Sequence, residues 1–118
     1  MTTEILRHKQ TPHLHAAVVH NGIIYASGHA ASNIDQDMAG QTRETLQKLD
    51  QLLTDLGSDK TKILQARIYL SDMTGKAAMT EEWVNWIGKD NLPARATIGI
   101  NDLGDPRRLI EIVITAAQ

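Results

Sequence analysis

The 118-residue sequence contains no cysteine, which excludes disulfides, thiolate metal sites and a cysteine nucleophile together. It has no phenylalanine, two tyrosines and two tryptophans, so few rings are on hand to stack single-stranded nucleic acid. Charge of neither sign dominates. Twelve Lys and Arg against 14 Asp and Glu leave a formal net charge of −2, and the basic residues are scattered along the chain. The electrostatic footprint of a nucleic-acid or anionic-membrane partner is therefore missing. No apolar run approaches the ~20 residues that span a bilayer, and the opening MTTEILRHKQ lacks the apolar stretch of a secretory leader. These absences lead to the expectation of an uncleaved cytoplasmic protein with neither a nucleic acid nor a membrane as partner.

What is present has the balance of a folded globule: 42% hydrophobic and 22% charged residues. The length suits a single domain over 1–118. Residues 15–20, HAAVVH, and 23–28, IIYASG, flank Asn21-Gly22, a pair that favours a type I′ turn because both positions want positive φ. The spacing predicts a β-hairpin there, with EILRHK before it as an edge strand. From Met38 to Leu56 the period changes, with Leu46, Leu49, Leu53 and Leu56 on one side and Arg43, Glu44, Lys48 and Asp55 elsewhere. This is an amphipathic helix that Asp35 or Asp37 could cap and Gly57 could end, with Glu44 and Lys48 in the favourable i,i+4 order.

Residues 63–70, ILQARIYL, alternate with Leu64, Ala66, Ile68 and Leu70 on one face. Helical spacing returns over 76–87 through Met79, Trp83, Trp86 and Ile87, with Gly88 as its stop. Strands over 95–101 and 108–116, joined by the turn-forming DLGDPR, are expected to pair as a closing hairpin. The fold class is α/β, a mixed sheet with two helices on one face if both crossovers are right-handed. The opposite face then needs a cover. In the last strand Ile110, Ile112, Ile114 and Ala116 alternate with Leu109, Glu111, Val113 and Thr115, so both faces are largely apolar and a closed homo-oligomer is expected.

Within PARATIGI, 93–100, Ala96, Ile98 and Ile100 are expected to face the helices, placing Arg95 and Thr97 on the other side with Glu111. Hairpin pairing would then gather a guanidinium, a hydroxyl and a carboxylate on one wall. Two readings stay open at this point: a structural ion pair at a subunit interface, or a site where Arg95 grips an anionic substrate and a desolvated Glu111 handles a proton.

LPARATIGINDLGDPRRLIEI and the upstream NGIIYASG resemble the signatures of the RidA family, also called YjgF/YER057c/UK114, and the likeness covers almost the whole chain. It implies a chorismate-mutase-like fold with a six-stranded mixed sheet, a homotrimer with clefts between subunits, and hydrolysis of reactive 2-enamine or 2-imino acids to 2-keto acids and ammonia. That is the activity of a 2-iminobutanoate/2-iminopropanoate deaminase. Its partner is a small 2-imino or 2-keto carboxylate, and no cofactor is needed. By matching position, Arg95 would bind the substrate carboxylate, Glu111 would hold or activate water, and Ser27 and Gly28 would line the cleft. The chain departs from well-known members in having Thr97 two residues after the arginine, Leu14 near a cleft tyrosine and Thr80 near a helix asparagine, all three expected to contact substrate.

These departures motivate the alternative of a non-catalytic small-carboxylate-binding or regulatory module using the same cleft. A chorismate-mutase-like activity rests on fold analogy alone. His13 and His15 share a strand face and His29 follows Ser27-Gly28, but without a clear third ligand no metal site is assigned. DLGDPRR lacks a phosphate-loop pattern and reads as a turn with solvated arginines.

Overall fold

The computed structural model describes residues 4–118; Met1, Thr2 and Thr3, where the stretch read for a leader begins, lie outside the described residues. Strands β1 (Ile5–Gln10), β2 (His15–His20) and β3 (Ile23–Ala26) precede helix α1 (Met38–Asp55). Strand β4 (Ile63–Leu70), helix α2 (Lys76–Ile87) and strands β5 (Ala94–Gly99) and β6 (Ile110–Ala117) follow. The sheet has six strands in the order β1-β2-β3-β6-β4-β5, and only β4 and β5 run parallel. No helix among the described residues is long and apolar enough to cross a membrane.

Local chemistry sets the ends of these elements. Asn21 and Gly22 take φ of 52° and 76°, the doubly positive pair of a type I′ turn, and so register β2 against β3. Asp37, not Asp35, caps α1 by accepting from the Gly40 N–H at 2.9 Å. The helix closes as a Schellman motif: Ser58 N–H donates to Leu53 O at 2.8 Å and Gly57 N–H to Thr54 O at 3.1 Å, with Gly57 at φ 75°. Both helices lie on one face of the sheet. There Leu46, Leu49 and Leu53 of α1 and Met79, Trp83 and Ile87 of α2 join Ala66, Ile68, Ile110, Ile112 and Ile114 in a single buried cluster.

Three sequence expectations give way to longer-range pairing. The closing hairpin does not form: β6 lies between β3 and β4, and β5 pairs with β4 instead. A strand returning through the α2 crossover runs parallel to the strand before it, and the strand apolar on both faces takes the sheet interior. The face of β5 is inverted as well. Arg95 stands opposite Ala66 and Thr97 opposite Ile68, both on the helix-covered side, while Ala96 and the 36%-exposed Ile98 face outward. Finally, a bulge between Ile63 and Gln65 turns Leu64 out to 48% exposure while Ile63 takes the core position at 5%, because one extra residue exchanges the faces of a strand.

Candidate functional site

Arg95 rises from the edge strand β5 beneath α2. Its guanidinium is half-buried, and Nη2 donates to Thr80 Oγ1 at 3.3 Å while Nη1 lies 4.0 Å from Met79 Sδ. No carboxylate among the described residues is within ion-pair distance of it. Helical spacing places Thr80, Trp83 and Val84 on the side of α2 that meets the Leu92-Pro93 approach to β5. Together with Arg95 they line a cleft of about 250 Å³. One step along the same face, the Thr97 hydroxyl oxygen is buried without a hydrogen-bond partner among the described residues. The guanidinium thus keeps unused donors in partly desolvated surroundings, where a planar anion is the complementary ligand.

Glu111 belongs to a second group. It faces outward from β6, opposite Tyr69, and has neither a hydrogen-bond nor an ion-pair partner among the described residues. Beyond β3 the chain stays beside β6 through an isolated bridge, His29 N–H to Ile112 O and Ile112 N–H to His29 O, both 2.9 Å. The bridge lays Gly28 against the Glu111 carboxylate so closely that a Cβ there would stand 2.5 Å from Oε2. Ser27 is pinned on its other side, its N–H donating to Ala16 O at 2.9 Å and its hydroxyl to His15 O at 2.6 Å. Leu14, 48% exposed, precedes His15 in a turn held by Thr11, whose N–H donates to Leu14 O at 2.7 Å. Leu14, Ser27, Gly28 and Glu111 therefore gather at one end of the sheet.

The structure does not bring Arg95 and Thr97 onto one wall with Glu111, nor does it pair Arg95 with Glu111 as ions. Arg95 and Thr97 lie on the helix side of β5; Glu111 lies on the open side of β6, with β4 between the two strands. Parity in a strand can assign two residues to one face, but register against β4 decides which face that is.

Three structural contributors carry no mark in the sequence that singled them out. Leu92 and Pro93 stand just before a strand that follows a helix, a place where a cleft lip forms, and both line the cleft. Gln41 gave no signal at all, yet it is fully buried and clamps the approach to β6. Its Nε2 donates to Arg107 O at 2.8 Å and its Oε1 accepts from Leu109 N–H at 2.9 Å. The turn it grips is also braced by Arg107, which donates to Asp35 at 2.8 Å and to Asp105 at 3.3 Å. The hydrogen bond from Arg107 holds the Asp105 carboxyl below its ordinary range. Arg108, expected to be solvated, is half-buried and donates to Leu103 O at 3.3 Å. No group of three or more His, Asp or Glu side chains among the described residues is placed to hold a metal ion.

Comparison with known proteins places the chain in a family. The sequence model of the family described as Endoribonuclease L-PSP matches residues 7–118. The RutC family protein YoaB of Escherichia coli is 38% identical over 100 residues, covering 85% of this chain and 86% of the relative. A RutC family protein of Haemophilus ducreyi is 36% identical over 99 residues, covering 84% of each. The crystal structure of a YjgF-family member from Neisseria meningitidis superposes with a TM-score of 0.93 at 37% identity, covering 98% of this chain and 96% of that one. A match over nearly the full length, joined to close agreement in fold, makes this chain a member of the endoribonuclease L-PSP family, the YjgF/RidA family that its sequence resembles.

Proposed function

We propose that the protein hydrolyses reactive 2-enamine and 2-imino acids to 2-keto acids and ammonia, in the cytoplasm, as a single domain over 1–118 that works as a homotrimer. The observation that carries this reading is the half-buried Arg95 with no carboxylate partner among the described residues, on the opposite face of the sheet from a Glu111 that is equally unpaired among them. Neither group is compensated by the described residues of its own subunit, and the two can share a cleft only if one comes from a neighbouring copy. The apolar open face of the sheet is the surface such a copy would cover.

In that cleft Arg95 holds the substrate carboxylate through paired N–H donors, with Thr80, Thr97 and Leu14 around the substrate and Ser27 and Gly28 framing the carboxylate of Glu111. Glu111 orients a water molecule toward the C=N carbon and accepts one of its protons. The oxygen bonds to that carbon, giving a carbinolamine. Proton return to nitrogen from Glu111 breaks the C–N bond and releases ammonia, and the hydroxyl gives its proton back to the Glu111 carboxylate as the C=O of the keto acid forms. The iminium carbon is already electrophilic, so orientation and one acid/base group suffice and no cofactor is called for. The word endoribonuclease in the family description finds no support in a net charge of −2 with two Trp and two Tyr.

A second reading, a carboxylate-binding module without turnover, is favoured by Ser27, whose hydroxyl proton is already committed to His15 O at 2.6 Å. One experiment separates the two. An amino-acid oxidase generates the imine in the presence of semicarbazide, and keto acid formation is followed with and without the protein. Acceleration by the wild-type protein, lost at least tenfold in Arg95→Ala, as expected for removing a charged hydrogen-bonding partner worth about 1.5–3 kcal/mol, supports the deaminase. Equal rates with and without protein across several amino-acid precursors remove it, and calorimetry that then detects carboxylate binding favours the module.

A further inference from the structure

Resting on the deaminase reading, we propose that the cleft beside Arg95 is a side-chain subsite, and that it selects 2-imino acids with a compact aliphatic side chain larger than methyl through Leu92, Val84 and Pro93. The cleft is one-sided in its chemistry. Arg95 and Thr80 supply its polar atoms, and Trp83, Val84, Leu92 and Pro93 supply the rest. A carboxylate seated on the guanidinium therefore leaves the remainder of the molecule against apolar walls.

A polar side chain placed there would lose water without gaining hydrogen bonds, whereas a hydrocarbon would be stabilised by burial. Volume sets the upper limit. At about 250 Å³ the cleft falls below the roughly 300 Å³ at which pockets for drug-sized ligands begin, so it suits an acid of amino-acid size. Trp83, 2% exposed and part of the core, makes an unyielding floor, and Leu92, 52% exposed, makes the lip. Leu92 is the adjustable element. It sits between α2 and β5 with half its surface in solvent, and it gains cover only from a ligand or a neighbouring copy.

The test compares imines generated in place from leucine and from alanine, with semicarbazide competing for each, in wild-type protein and in Leu92→Ser. The exposed position lets the variant fold, which a thermal melt verifies. The wild-type protein is expected to favour the leucine-derived imine, and Leu92→Ser to lower the leucine-to-alanine rate ratio by about tenfold, the low end of what apolar pocket contacts discriminate. Acceleration of both imines with the same ratio in the two proteins overturns the subsite and leaves the deaminase standing. If neither imine is accelerated, the deaminase reading fails and calorimetry decides the subsite alone. The keto acid of leucine binding more tightly than pyruvate to the wild-type protein, but not to Leu92→Ser, upholds it; equal affinities overturn it.

Discussion

An added methyl group at Gly28 would stand 2.5 Å from Glu111 Oε2 and 2.7 Å from its carboxyl carbon, so Gly28 is present for space. The obstructing atoms are the end of a flexible side chain, which can swing aside at little cost to the fold. Gly28→Ala is therefore expected to keep its melting temperature within about 5 °C of wild type, a change on the order of 1 kcal/mol, while imine hydrolysis falls at least tenfold as the carboxylate leaves its place. A loss of activity in step with a collapse of the melt would show Gly28 to be purely structural. Glu44 offers a residue-scale prediction away from the site. Its carboxylate is held below the ordinary range, first by the Ser32 N–H at 2.5 Å, then by Asn33, Lys48 and Gln36. A depressed native pKa stabilises the fold fully above the unfolded value, about 4.3, and that contribution fades as pH falls from there through the lower native value. Melts of wild type and Glu44→Gln should differ at pH 7 and converge in acid; a gap that persists there would contradict the assignment.

At the scale of elements, Gln41 joins α1 to the turn that delivers β6. It donates to Ile34 O, Gln36 O and Arg107 O and accepts from Leu109 N–H, all from a fully buried position. Gln41→Leu keeps the approximate volume but strands the Leu109 N–H and the Arg107 carbonyl, and should cost about 3 kcal/mol in urea denaturation. A cost near zero would mean that water reaches those groups. None of this was legible in the sequence, where Gln41 is one polar residue among several in α1. The ends of α1, by contrast, were legible, because caps and left-handed glycines act within a few residues. β5 lies between these extremes: its strand character could be read from alternation, but its partner could not, because the choice of β4 over β6 is made by contacts far apart in the chain.

The whole molecule presents a sheet whose helix-free face carries Val18, Tyr25, Tyr69, Ile98 and Val113 around an Arg67 that has no ion-pair partner among the described residues. Tyr25 is 50% exposed, and with Gln65, Arg67, Val113 and Thr115 it lines a shallow concavity of about 390 Å³. Closure of this face between copies is what the proposed function needs, since it is the means by which Arg95 of one subunit can meet Glu111 of another. Val113→Lys sets an ammonium opposite Arg67, where like charges would be forced together and desolvated in an assembled trimer. The variant is expected to sediment as a folded monomer, with unchanged far-ultraviolet circular dichroism and no imine hydrolysis. A monomer that retains full activity would sink the shared cleft.

The sequence by itself determined the kinds and approximate extents of the elements, the type I′ hairpin, the helix ends, the exclusion of thiol chemistry and, through its signatures, the family. Each of these rests on periodicity, capping or the conformational freedom of particular residues, all expressed over short stretches of chain. Only the tertiary structure decided that β6 inserts between β3 and β4, that Arg95 and Thr97 lie under α2, and that Glu111 stands on the other side of the sheet. Alternation in a strand says which residues share a face. Which face is covered, and which strand lies alongside, is settled by register and by packing between segments distant in sequence, and a segment such as PARATIGI, acceptable on either side, carries no local mark of the outcome.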